Sequence, residues 1–306
     1  NNIAGILPSG ESERYGVVGA HYDHLGMGGE NSGSRAPDKH AVHNGADDNA
    51  SGVASVLELA RYLAQNPDAI NQNVLFVAFG AEEKGLLGSG YFMEHLPIAR
   101  DQLSFMMNFD MVGRLDSSRR LLINGLATAK NLRDYVQPAL KRFSFDYKLS
   151  DEGYGASDHA SFYQNNIPVL HLSTGTHTDY HTPADDAKYI NYKGQADVTQ
   201  FAASLLKEVA AKVPLVYQST GVKRKNRHGR AMKVTFGLMP AFGSDVVGLM
   251  VGGVTDGEPA DKAGMKKGDV IIAINGKQVS DIYSYMNRLK QLKPGEIVTV
   301  TVLRKG

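Results

Sequence analysis

His21 and Asp23 stand just beyond the apolar stretch Val17-Val18-Gly19-Ala20, and short apolar runs that end in acids or a histidine recur along the first two-thirds of the chain. In His21-Tyr22-Asp23 the histidine can ligate a metal ion, while an acid two residues on steadies its ring and raises its basicity. The stretch 43–52, HNGADDNASG, sets Asp47 and Asp48 side by side before a strongly helical run, with Gly45 and Gly52 as breakers. A helix N-cap accounts for one acidic residue there, because its side-chain oxygen takes up a free N–H, but not for two in succession. Glu82 and Glu83 follow the apolar run 74–79. Paired carboxylates at a strand end repel unless a cation or a shared proton relieves them, which suggests one ligand and one base. Asp110 closes the apolar run 104–109, and Tyr180-His181-Thr182-Pro183 lies in a loop rich in Gly and Thr. Each feature alone has an ordinary structural explanation. Together they bring two histidines, three carboxylates and a spare glutamate to separate strand ends, a set suited to a metal site with an acid–base residue beside it.

Such residues need a scaffold whose strands end together. The first two-thirds alternate apolar runs with helical patterns, as an α/β domain does. Strands are predicted over 15–20, 74–79, 103–110, 121–124 and 169–172, and helices over 50–65, 86–94, 132–143, 159–165 and 192–212. The expected fold is an open sheet flanked by helices, which places ligand sites beyond the carboxyl ends of its strands. Between 213 and 234 the pattern breaks into a polar stretch with Lys223, Arg224, Lys225, Arg227 and Arg230, read as a solvated linker. Further strands over 234–238, 248–254, 270–274 and 298–303, with helices near 259–263 and 281–291, make a small β-rich domain. The expected layout is a first domain over 1–215, a basic linker over 216–232 and a second domain over 233–306.

Composition agrees with two domains, since 306 residues exceed the usual growth of one hydrophobic core. With 42% hydrophobic and 21% charged residues the chain reads as globular, and no apolar run approaches the roughly 18 residues of a membrane span. A net charge of +1 gives no field to attract nucleic acid. The absence of cysteine removes disulfides, thiolate metal sites and cysteine nucleophiles, so any metal must rest on His, Asp and Glu.

The motifs HYDHLG, GADDNASG, AEEKGLLGS, NFDMVG, GYGASDHASF and DYHTPADD occur in this order over residues 1–215. That region resembles the co-catalytic zinc aminopeptidases of the secreted bacterial leucine-aminopeptidase type, relatives of glutamate carboxypeptidase, glutaminyl cyclase and the transferrin receptor. The resemblance implies an α/β zinc-exopeptidase fold with an open mixed sheet and two Zn²⁺ per chain. It implies His21 and Asp110 on one ion, Glu83 and His181 on the other, and Asp47 as the bridge, with a cis peptide between Asp47 and Asp48. Asp23 would orient His21, Glu82 would be the general base and acid, and Tyr154 or Tyr180 would donate to the substrate carbonyl oxygen. His24, His40, His43, His159, His171 and His177 are expected in loops or supporting positions. Substrates would be peptides with a free N-terminus, and the location periplasmic or secreted, no signal-peptide pattern standing at the first residues.

In the last third, FGLMP at 236–240 and EPADKAGMKKGDVIIAINGKQV at 258–279 resemble a PDZ domain of the kind found in bacterial high-temperature-requirement proteases. That likeness implies a C-terminal peptide as ligand, its carboxylate on loop amides near Gly237, Leu238 and Met239. Two other classes share the first domain's resemblance: a glutaminyl-cyclase-like acyltransferase, and a receptor-like homologue that would have lost metal ligands. A carboxypeptidase would need arginines clustered around the site; no obvious cluster stands near the motifs, with Arg114 and Arg119 as the candidates.

Overall fold

The computed structural model describes residues 1–9, 12–29, 32–36, 38–220, 234–240, 246–254, 257–280 and 282–304. The chain divides into two units, Asn1–Gly221 and Val222–Gly306.

The first unit contains β1 (Ile3–Leu7), β2 (Tyr15–His21), α1 (Gly52–Gln65), β3 (Asn73–Phe79), α2 (Leu87–Glu94), β4 (Leu103–Phe109), β5 (Arg120–Asn124), α3 (Leu132–Arg142), β6 (Asp146–Leu149), α4 (His159–Gln164), β7 (Val169–Ser173) and α5 (Tyr192–Ala210). Its seven-stranded sheet has the order β1-β3-β2-β4-β7-β5-β6. Strands β3, β2, β4 and β7 run parallel, while β1 is antiparallel to β3 and β5 to β7. The parallel strands are near-continuous apolar runs because both faces are covered. Val18, Ala20, Met107 and Phe109 join the core beneath α1 and α5, whereas Val17, Leu75, Val77 and Met106 pack with Phe92 of α2 and Phe162 of α4. The chain leaves β2 to one side for β3 and to the other for β4, so the carboxyl end of β2 is a topological switch point.

Every predicted strand and helix of this unit is present, with ends shifted by a few residues. β1 and β6 are additions. β1 is itself a short apolar run, IAGIL, absent from the predicted strands, with four of its five residues exposed at the sheet edge, and β6 has only four residues. Residues 216–220 correct the expected linker: Tyr217 bridges to Ala129, Lys130 N–H donates to Val216 O at 2.9 Å and Gln218 N–H to Thr128 O at 2.8 Å. They form a strap along the first unit. The basic residues 223–230 lie outside the described residues.

The second unit contains β8 (Leu238–Pro240), β9 (Leu249–Val254), α6 (Pro259–Lys262), β10 (Val270–Ile274), β11 (Lys277–Gln278), α7 (Ile282–Gln291) and β12 (Val300–Leu303). The sheet order is β11-β10-β9-β8, with β12 on β10, around a core of Phe236, Leu249, Val251, Ile271, Ile274, Tyr285 and Leu289. The strand expected over 234–238 begins at Leu238 instead, because Gly237, at φ 71°, turns the chain there.

Candidate metal centre

Four parallel strands deliver the site. His21 ends β2, Glu82 and Glu83 lie in the turn after β3, Asp110 follows β4, and His181 lies in the loop after β7. Ala81, Met111 and His181 adopt φ of 57°, 58° and 57°, a left-handed conformation that non-glycine residues avoid. Each adjoins or is a site residue, and such strain, about 1–3 kcal/mol apiece, persists where surrounding structure enforces it.

Asp48 stands between the two histidines. One carboxylate oxygen is 3.2 Å from His21 Nε2, the other 3.1 Å from His181 Nε2. This corrects the expectation that Asp47 would occupy that place. The Asp47 side chain turns away: Oδ1 accepts the N–H of Gly113 at 2.6 Å and the Ser51 hydroxyl at 3.0 Å, and Oδ2 is 3.3 Å from His177 Nε2. The cis peptide likewise falls at Asp48–Asn49, not at Asp47–Asp48. Asn49 clasps the turn to the end of β4. Its Nδ2 donates to Phe109 O at 2.9 Å, and its Oδ1 accepts from Gly52 N at 3.1 Å and Met111 N at 3.2 Å. Gly52 has no room for a side chain, since a Cβ would lie 2.7 Å from Phe109 O.

The adjacent glutamates diverge. Glu83 Oε1 is 3.2 Å from His181 Nε2 and 3.0 Å from His24 Nδ1, whereas Glu82 groups with His21 and Asp110. Asp23 stays beside His21, its Oδ1 3.8 Å from His21 Nδ1. Its carboxylate accepts the N–H of Glu82 at 2.9 Å and of Glu83 at 3.3 Å, while the His21 ring is held by the Asp23 backbone carbonyl, 3.1 Å from Nδ1. His181 Nδ1 is held by Gly33 O at 2.9 Å, and Arg35 N–H donates to His181 O at 2.9 Å. Both rings therefore turn Nε2 inward, the outer hydrogen bond fixing each orientation.

Two groups among the described residues could hold a cation: His21, Glu82 and Asp110, and His24, Asp48 and Glu83. The spacing fits, since nitrogen and oxygen donors about 2.0–2.1 Å from a tetrahedral ion stand roughly 3.3 Å apart. The charges fit as well. No lysine or arginine pairs with Asp48, Glu82, Glu83 or Asp110 among the described residues; histidines lie against Asp48, Glu83 and Asp110 instead. Burial pulls His181 down, but hydrogen bonds to Asp48 and Glu83 and their charges raise it to about 10. Burial pushes Glu83 up, yet the bonds from His181 and His24 bring it down to about 2. Glu82 is raised well above the usual carboxylate range by burial; His21 opposes the shift, and Asp158, Asp110 and Glu83 add to it.

Of the candidate tyrosines, Tyr180 stacks on His181 at 3.8 Å and is raised by burial and by the charges of Asp48 and Glu83. Tyr154 packs edge-on against Tyr163 at 4.6 Å. Arg114 is taken by Asp179 at 3.0 Å and Asp185 at 3.3 Å, and Arg119 by Asp197 at 2.9 Å, so neither is a free substrate clamp. Sequence reasoning set His24 aside, although its place three residues after His21 was a usable signal. It also passed over Asp158, buried beside Glu82 and pushed up to about 7 by that burial, and Asp185. In the second unit Gly237 and Leu238 stand where β8 begins; the Met239 side chain lies outside the described residues.

A mixed sheet with a buried, carboxylate-rich cluster at the switch point of its parallel strands defines an α/β metallohydrolase-type domain. Residues 2–206 match peptidase family M28 and residues 220–306 match a PDZ domain, so the chain belongs to peptidase family M28 and carries a PDZ domain behind the peptidase region. It is 35% identical over 158 residues to aminopeptidase YwaD of Bacillus subtilis, covering 48% of this chain and 34% of that one. It is similar to the solved structure of BSAP, a zinc aminopeptidase from Bacillus subtilis, at TM-score 0.53 and 28% identity over 72% of this chain and 51% of that one. Glutaminyl cyclase of Porphyromonas gingivalis shares the fold at TM-score 0.57 and 23% identity, over 68% of this chain and 77% of that one. The chain thus spans about a third of the YwaD sequence.

Proposed function

We propose that the chain is a zinc-dependent aminopeptidase acting outside the cytoplasm, with two zinc ions per chain. His21 and Asp110 would hold one ion and Glu83 and His181 the other, with Asp48 and His24 within reach as further donors. The placement of Asp48, one oxygen toward each histidine, carries this reading. When bound, the ions supply Lewis acidity that acidifies water and polarises a peptide carbonyl. Glu82, buried and raised, takes the proton from the attacking water and returns it to the leaving amine. Asp23 fixes the backbone of Glu82, so the proton acceptor keeps its place through the cycle. Tyr180, beside His181, is the better placed of the two tyrosines to donate to the carbonyl oxygen. No helix among the described residues is long and apolar enough to cross a membrane. The second unit is proposed to bind an extended C-terminal peptide at Gly237 and Leu238.

The test is hydrolysis of an amino-acid anilide with and without a free α-amine, before and after chelation and zinc return. Loss on chelation, recovery with Zn²⁺ and inactivity toward the N-acetylated substrate are expected. Activity unchanged in a strong chelator with the metal demonstrably removed would sink the proposal. Conversion of an N-terminal Gln peptide without peptide hydrolysis would replace it with the cyclase reading.

A further inference from the structure

Asp185 lies in the same loop as His181 and is wholly buried. Its Oδ2 accepts the backbone N–H of Asp47 at 2.9 Å and of Asp48 at 3.0 Å, and its own carbonyl accepts Ala46 N–H at 3.0 Å. Its Oδ1 faces Arg114, whose guanidinium also meets Asp179 and lies 5.1 Å above the Tyr189 ring.

We propose that Asp185 is a positioning residue for the metal centre, holding the peptide of Asp48 so that its carboxylate enters the gap between His21 and His181. The N–H groups at the start of a helical segment have no intrahelical partner. Here two of them converge on one carboxylate, a charge-assisted arrangement that fixes the peptide plane and hence the direction of the Asp48 side chain. Arg114 balances the buried charge, without which the carboxylate would be poorly tolerated. Gly113 N–H on Asp47 Oδ1 closes the frame from the other side, keeping Asp47 out of the gap. Sites of this kind lose function when a ligand drifts by about 0.5 Å. Asp185 thus ties Asp48 to the loop that carries His181, so two groups facing one another across the gap share a support.

The inference rests on the metal reading above, and the test separates the two. The zinc dissociation constant of the full chain is measured by chelator competition at a temperature where every variant is folded, alongside its melting temperature and kcat/KM at saturating zinc. Asp185→Ala is expected to weaken zinc about ten- to a hundredfold, the usual effect of removing an outer partner of a metal ligand, with activity partly recovered at high zinc. Asp185→Asn preserves the shape and carries the test if the alanine variant does not fold; it too should bind zinc less tightly than the parent. A lower melting temperature with an unchanged zinc constant is what a merely structural residue would give, and it overturns the inference while leaving the metal reading intact. A parent chain with no zinc affinity overturns both.

Discussion

The carboxylate of Asp23 accepts the backbone N–H of Glu82 at 2.9 Å. Its other oxygen takes the N–H of Glu83 at 3.3 Å, so one side chain anchors both glutamates while their own side chains part toward different histidines. Their substitutions should therefore fail in different ways.

Glu82→Gln is expected to keep both zinc ions and lower kcat by roughly 10²- to 10⁴-fold, the range of general acid–base catalysis. Glu83→Gln removes an anionic donor and should lose zinc, with activity partly restored by excess metal. Elemental analysis beside steady-state kinetics decides. Zinc loss in Glu82→Gln with retention in Glu83→Gln would reverse the assignment.

The neighbouring aspartates should part as well. Asp48→Asn is expected to reduce zinc occupancy, whereas Asp47→Asn retains an oxygen able to accept from Gly113 N and Ser51 Oγ and should keep the metal. Zinc titration of the two variants gives the order directly. Equal retention would mean that Asp48 is no ligand.

The strap marks where the chain can be cut. Thr220 N–H donates to Tyr163 Oη at 2.7 Å, the Thr220 and Tyr163 hydroxyls meet at 2.8 Å, and Gly153 N–H donates to Thr220 Oγ1 at 3.3 Å. A chain ending at Thr220 should hydrolyse short substrates about as well as the full one. One ending at Lys212 leaves the Tyr163 hydroxyl without these partners, at about 1–3 kcal/mol for a buried polar group, and should melt at lower temperature. Matching melting curves for the two truncations would count against the strap.

In the second unit Arg304 pairs with Asp269 through two contacts of 2.6 Å, and these bonds hold the buried Asp269 carboxyl down to about 2. A depressed folded pKa means the unfolded state binds the proton more tightly, so this contribution is complete above the ordinary value near 3.8 and lost as pH falls through about 2. Protection of the β10 amides against hydrogen exchange, corrected for intrinsic rates, should be flat from pH 7 to about 4 and fall below it. Arg304→Met should flatten that fall, and a parallel decline in both chains would discount the pair.

The four site-bearing strands were legible because parallel strands covered on both faces read as unbroken apolar runs, and the acids and histidines beyond them stand out by contrast. The choice between Asp47 and Asp48 was not legible. Spacing puts both at the same turn, and only the partners of each, Gly113 and Ser51 for one and the two histidines for the other, decide which faces the gap. His24 and Asp185 were missed for the same reason, since their partners lie 59 and 138 residues away in the chain. β1 was overlooked although Ile3–Leu7 is itself a short apolar run, and its exposed edge position is fixed only by pairing with β3, about 70 residues on.

The Asn49 clasp divides the centre into unequal jaws. On one side, Asp48, Asp110 and their supports are a single piece: Asn49 joins the turn to Phe109 and Met111, and Gly52 lets the α1 backbone rest directly on the Phe109 carbonyl. His181, opposite, hangs from Gly33 and Arg35, which belong to a loop outside the core. Asp185, from the same loop as His181, grips the Asp48 backbone and ties the two jaws, so a substrate meets one frame and not two halves that close.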